Sequence, residues 1–497
     1  MSAPCIMVLG TSSGAGKSWI ATALCRHYAR LGLKVAPFKA QNMSNNARVV
    51  ATPGGGWGEI GSAQYFQALA AGVRPEVRMN PVLLKPEADT RSQVVLLGQV
   101  SAELGAMPWR ERSQRLWPTV AQALDELRAA HDLVVIEGAG SPAEINLMDS
   151  DIVNLRVARH TRARCLLVSD IDRGGAFAHL YGTWALLPEA ERALLRGFVL
   201  NRFRGDPSLL APGPQQLQQL TGVPTLATIP LLRQHGLPEE DGWYGPAAGQ
   251  AAGPLRLTVA ILAGPHISNL DEFQPLCQVP GLRLLWARQP ADLAAADWII
   301  LPGSKQTAAD LAWLRTQGLD WALAQHAARG GAVLGLCGGL QMLGEALLDA
   351  HGIDGNAAGL GLLPLVTQFA RHKTVTPTEA VFASPALAQG PWAALQGLQV
   401  QGYEIHHGQT QPHAALEAVG QPLLPALHHG VSGQALGWCN AAGNVLGLYL
   451  HGLFEQPAVL QALFGAAVPL PDQVFDRLAD HVAAHFEPGA LAALLEP

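Results

Sequence analysis

The sequence predicts an α/β protein of two domains, each a mostly parallel sheet flanked by helices. Three observations carry this. Short apolar runs alternate with helical patterns, as they must where helices cover both faces of a parallel sheet. The alternation breaks once, at 233–254, "RQHGLPEEDGWYGPAAGQAAGP", a Gly-, Pro- and Ala-rich stretch without periodicity. The chain has 497 residues and is 49% hydrophobic, which is more apolar material than one core normally holds.

Taken in order, the apolar runs place strands at 5–10, 33–38, 132–137, 164–169, 195–200 and 224–229, with helices such as 17–31 and 174–187 between them. Strands resume at 255–262, 283–287, 297–301 and 332–336, and strand-like runs follow at 397–403, 433–438 and 444–450. After 455 the pattern turns helical. The expected division is a nucleotide-binding domain over 1–232, a linker over 233–254, a second α/β domain over 255–455 and a helical tail over 456–497. There is no repeat of solenoid type.

Composition excludes some functions. Charged residues are only 14% and the net charge is −6, so no basic stripe is expected and no nucleic-acid partner. No run of about 18 apolar residues appears, so no membrane span is expected. The start, "MSAPCIMVLG", lacks the basic segment and long apolar stretch of a secretion signal. The six cysteines are scattered without C-x-x-C pairs, as in a reducing cytoplasm.

Residues 10–18, "GTSSGAGKS", lie between an apolar strand and a helix. Small residues here (Gly10, Thr11, Gly14, Gly16) let backbone N–H groups turn inward around an anion, and the helix start adds partial positive charge. Lys17 is placed to reach terminal phosphates and the Ser18 hydroxyl to occupy a Mg²⁺ position. Thr11 stands where the strict pattern has glycine, so the loop is a longer variant. A Mg²⁺–nucleotide site needs further hard oxygens. Glu137, closing "DLVVIE", and Asp170, closing "LLVSD", stand at strand ends, where such ligands bind. Either could instead cap a helix. Lys39, in "PFKAQN", is a second candidate phosphate contact or an ordinary surface lysine.

In "LGLCGGLQML", residues 334–343, a strand breaks into a helix at Cys337. That turn lifts the sulfur out of the sheet, and the helix start favours the thiolate. It is the cysteine counterpart of a nucleophile elbow. Gly335, Gly338 and Gly339 permit the tight backbone, and N–H groups beside the nucleophile, with that of Gly303 in "LPGSK", are candidate oxyanion donors. His451, in "GLYLHGLFE", is the candidate base.

These motifs resemble known families. "GLCGGLQML", "LPGSK" and "YLHGLF" resemble a class I glutamine amidotransferase domain, and "GTSSGAGKS" with "VVIEGAG" resembles the dethiobiotin synthetase-like ATP-binding fold. Fused in this order they resemble the cobyric acid synthases of cobalamin biosynthesis, as do "PFKAQNMSNN", "MNPVLLKP", "EGAGSPAEINL", "DIDRGGAFA", "GFVLNRFRGD" and "GYEIHHG". The resemblance implies ATP- and Mg²⁺-dependent amidation of the b, d, e and g carboxylates of adenosylcobyrinic acid a,c-diamide, with glutamine as nitrogen donor. It implies Cys337 as nucleophile, His451 as base and Gly10 to Ser18 as nucleotide loop. Expected partners are therefore small molecules, and a homodimer is left open. Many relatives carry the third triad carboxylate two residues after the histidine; here that residue is Leu453. Glu455 and Glu404 are alternatives, as is a dyad. Two rivals remain. One is the sister enzyme amidating the a and c carboxylates. The other is a ParA/MinD-like ATPase switch, whose early signature lysine is absent from Thr11, Ser12 and Ser13.

Overall fold

The computed structural model describes residues 2–88, 91–232, 235–238, 254–415 and 423–496, so the expected linker lies almost wholly outside the described residues. The chain forms two compact units. The first comprises Met1–Ser44, Val50–Asp241 and Pro469–Pro497, and the second Asn45–Val49 and Gly242–Val468.

The first unit is built on six parallel strands: β1 (Cys5–Gly10), β2 (Val35–Phe38), β3 (Leu133–Glu137), β4 (Arg164–Asp170), β5 (Leu195–Phe203) and β6 (Thr225–Pro230). Their order across the sheet is β6-β5-β4-β1-β3-β2. Each is nearly continuous apolar sequence because both faces are covered. One face packs against Leu116, Val120, Leu124 and Leu127 of helix Trp109–Ala130. The other packs against Ile20, Leu24 and Tyr28 of helix Lys17–Arg30.

The second unit has a larger sheet. Its parallel strands are β7 (Leu257–Leu262), β8 (Leu282–Ala287), β9 (Trp298–Leu301) and β10 (Ala332–Leu336). There follow β11 (Leu365–Phe382), β12 (Gln399–Pro412), β13 (Pro425–His429), β14 (Ala435–Cys439) and β15 (Val445–Leu448). The order β8-β7-β9-β10-β15 is parallel, and β14, β13 and β11 continue it antiparallel. β11 and β12 form a long ribbon.

The division differs from the expected one in two ways. The segment after 455 is helical but does not stand alone. Helix Pro457–Phe464 buries Val459 and Leu460 in the second unit. Helix Pro471–Ala483 places Val474, Phe475, Leu478 and Val482 in the core of the first. A five-residue piece of the N-terminal half, Asn45–Val49, belongs to the second unit. Both pieces are held by side-chain burial, which single-pass periodicity does not reveal.

Candidate active site

In the second unit, β9, β10 and β15 are neighbours, and the loops leaving their carboxyl ends carry Gly303, Cys337 and His451. Cys337 adopts φ 50°, ψ −104° at the start of helix Gly338–Leu343. A non-glycine residue held at positive φ stores strain, and here it fixes the elbow. Its N–H donates to Leu448 O at 2.7 Å, tying the turn to β15. The elbow fits only because Gly339 has no side chain: a Cβ there would lie 2.0 Å from Leu301 O. Gly338 packs against the backbone of Ser304, which brings the two candidate oxyanion segments side by side.

His451 is 1% exposed and hydrogen-bonds Cys337. Its Nδ1 donates to Glu272 Oε1 at 3.1 Å, and the same carboxylate accepts from Gly452 N at 3.2 Å. Burial opposes a charge on this imidazole. The Glu272 carboxylate and the Cys337 sulfur, both also hydrogen-bonded to it, outweigh burial and raise its pKa to about 10. The arrangement is therefore an imidazolium held between a carboxylate and a sulfur. Burial pushes the other cysteines up, Cys5 and Cys277 to about 11, Cys165 and Cys439 to about 12, and Cys25 further still.

In the first unit, the loop after β1 runs into helix Lys17–Arg30. Thr11 is anchored by its N–H on Val168 O at 2.9 Å and its hydroxyl on Ser169 Oγ at 3.1 Å. Lys17 folds back over Gly10, and its Nζ donates to Ser12 O at 2.9 Å and Gly140 O at 3.1 Å. Gly14 lies beside the Arg173 guanidinium. Gly16 takes φ 98°, and Asn201 Nδ2 sits so close that no Cβ fits; that amide donates to Ala15 O at 2.8 Å.

Glu137, 1% exposed at the end of β3, gathers its surroundings. Its Oε1 accepts from Ser18 Oγ at 2.8 Å and Lys39 Nζ at 2.9 Å, and its Oε2 from Gln67 Nε2 at 2.6 Å and Gln64 Nε2 at 3.3 Å. Ser18 and Glu137 thus offer two hard oxygens in contact, the donor chemistry that Mg²⁺ takes. Asp170 is engaged differently: Arg202 Nη1 at 3.0 Å, Arg173 Nε at 3.3 Å and the N–H of Asp172 at 2.9 Å.

Family comparisons coincide with these units. Residues 6–239 match the model of the CobQ/CobB/MinD/ParA nucleotide binding domain, and residues 258–459 that of the CobB/CobQ-like glutamine amidotransferase domain. A cobyric acid synthase of Variovorax paradoxus (strain S110) is 69% identical over 495 residues, covering 100% of both chains. That of Polaromonas naphthalenivorans (strain CJ2) is 67% identical over 498 residues, again 100% of both. That of Leptothrix cholodnii is 64% identical over 508 residues, 99% of this chain and 97% of the relative. The chain belongs to the cobyric acid synthase family.

As a cobyric acid synthase family member it has both α/β units, the nucleotide-binding domain and the amidotransferase domain that the motifs imply. No helix among the described residues is long and apolar enough to cross a membrane. The structure joins Cys337 to His451, and Ser18 and Lys39 to Glu137. Neither Glu404 nor Glu455 touches His451: Glu404 pairs with His406 at 3.0 Å and Glu455 with Arg48. The carboxylate that does, Glu272, was not legible, because it lies 179 positions from His451 in a stretch without a motif. Gln64 and Gln67 escaped for a similar reason, since helix Ser62–Ala70 reads as an ordinary amphipathic helix.

Proposed function

We propose that this chain is an ATP-dependent, glutamine-hydrolysing amidoligase that amidates the b, d, e and g carboxylates of adenosylcobyrinic acid a,c-diamide, giving adenosylcobyric acid. One observation carries it. A sulfur–imidazole–carboxylate chain stands at the carboxyl ends of central strands of one unit, in a polypeptide whose other unit bears a phosphate loop. The full-length likeness to cobyric acid synthases supports the choice of substrate.

The Cys337 thiolate attacks the glutamine amide carbon, and the oxyanion faces the N–H groups around Gly338 and Gly303. His451 delivers its proton to the leaving ammonia, and then takes one from the water that cleaves the thioester to glutamate. Glu272 holds the ring in the orientation both transfers need. In the first unit, Lys17 and the loop from Gly10 to Ser18 hold the ATP phosphates while a corrinoid carboxylate attacks the γ-phosphoryl group. The acyl phosphate formed has a leaving group that ammonia can displace, which a free carboxylate lacks. Ser18 and Glu137 are the residues that would hold Mg²⁺, with Asp170 a further expected ligand. The ion supplies charge neutralisation on the phosphates. Lys39 holds Glu137 in place through its 2.9 Å contact with Oε1. The setting proposed is the cytoplasm, with small molecules as partners.

The test is incubation with ATP, Mg²⁺ and the a,c-diamide, read by mass. Four added amides are expected with either glutamine or ammonium; two amides on the diacid would favour the sister activity. Cys337→Ala should lose glutamine use and keep ammonium use. Lys17→Ala should lose both by several kcal/mol of transition-state stabilisation.

A further inference from the structure

The segment Asn45–Val49 is part of the second unit although β1 and β2 precede it in sequence. Asn269 Nδ2 donates to Ala47 O at 2.9 Å, and Leu270 N donates to Asn46 Oδ1 at 2.8 Å. Arg48 is the centre of it. Its side chain is 2% exposed, among the most deeply buried cations of the molecule. Its guanidinium bonds Asp271 through Nε at 2.8 Å and also through Nη2. It bonds Glu455 through Nη1 at 2.9 Å, and stands 5.2 Å from the ring centroid of Tyr403.

Each of these three partners adjoins a support of His451. Asp271 precedes Glu272, which accepts the imidazole Nδ1–H. Glu455 closes the turn that begins at Gly452, whose N–H bonds Glu272. Tyr403 stacks on the His451 ring at 5.3 Å and 19°, and exchanges backbone hydrogen bonds with it at 2.9 and 3.3 Å. The guanidinium's planar fork holds both carboxylates at once in a fixed geometry, which the point charge of an ammonium imposes less strictly.

We propose that Arg48 is a positioning residue for the Cys337–His451 centre, clamping the three segments that orient the imidazole. It touches neither glutamine nor the reacting atoms. The inference rests on the assignment of Cys337 and His451 as the glutamine-hydrolysing pair. Removing the guanidinium leaves Asp271 and Glu455 without their counter-charge and frees Glu272 and Tyr403 to shift. A displacement of about 1 Å in a catalytic group costs on the order of 100-fold.

The experiment uses the full chain with Arg48→Met and Arg48→Lys, beside Cys337→Ala. Glutamine hydrolysis, glutamine-dependent amidation and ammonium-dependent amidation are measured on the same preparations. The expectation for Arg48→Met is a fall in kcat for glutamine of about 100-fold, with KM changed by less than about threefold and ammonium-dependent amidation retained. Arg48→Lys should recover part of the lost kcat. An Arg48→Met kcat within about twofold of the parent would overturn the inference, as would a loss confined to KM. Equal loss of ammonium use in both variants would also overturn it, since that marks general unfolding. Retained glutamine use by Cys337→Ala would instead overturn the assignment on which the inference stands.

Discussion

At the scale of single residues, the proton on His451 is held by Glu272 and the Cys337 sulfur. The imidazole's pKa stands near 10 against an ordinary 6.5. The folded protein therefore binds this proton more tightly than the unfolded chain does. The stabilisation is complete below about pH 6.5 and is lost as pH rises through about 10. Glutamine hydrolysis should follow the same limb, holding through pH 9 and failing as the imidazolium gives up its proton. Glu272→Gln removes the carboxylate that raises the pKa. The alkaline limb should then move toward neutrality, and kcat should fall by about 100-fold or more; an unmoved limb in a pH–rate profile would count against Glu272. Cys337 and Lys17 stand out in the sequence because each lies in a short motif at a strand-to-helix turn. Glu272 and Arg48 do not, because a carboxylate and a guanidinium acquire their meaning only from neighbours more than 170 residues away.

At the scale of elements, both sites depend on how strands end. The parallel strands of the first unit read plainly, since burial on both faces leaves near-continuous apolar runs such as "CIMVLG" and "LVVIE". The β11–β12 ribbon read poorly. Its sequence "LVTQFARHKTVTPTEAVF" alternates buried and exposed positions and breaks register between Phe369 and Thr374, so its period is blurred. The elbow lies between these extremes: its glycines signal a tight turn, but only the packing shows which of them is indispensable. Gly339→Ala would press a methyl group into Leu301 O. It should cost about 3 kcal/mol and abolish glutamine use, measurable as an earlier urea midpoint.

Over the whole molecule, the two units are not sequential. Helix Pro471–Ala483 returns to the first unit, where Val474, Phe475, Leu478 and Val482 cover Ile20, Leu24 and Tyr28. Tyr28 also donates its buried hydroxyl to Leu491 O at 2.8 Å. The rim ion pair Arg30–Asp480 is exposed and adds little, while Arg26, bonded to Asp476, is partly buried. Burying an apolar side chain is worth about 1.5–3 kcal/mol before the cost of ordering the helix, and losing the helix would expose Val474, Phe475, Leu478 and Val482 together. A chain ending at Val468 should lose ammonium-dependent amidation and melt earlier, by calorimetry, than the full chain. Composition could not announce this, because an amphipathic helix does not state which sheet it will cover.

The interlacing has an evolutionary corollary. Recombination at the Gly/Pro-rich stretch would hand a new host an amidotransferase module stripped of Arg48, and leave behind a ligase missing helix Pro471–Ala483. Swapping such parts between enzymes demands three additional crossovers, one on either side of Asn45–Val49 and one between Val468 and Pro469.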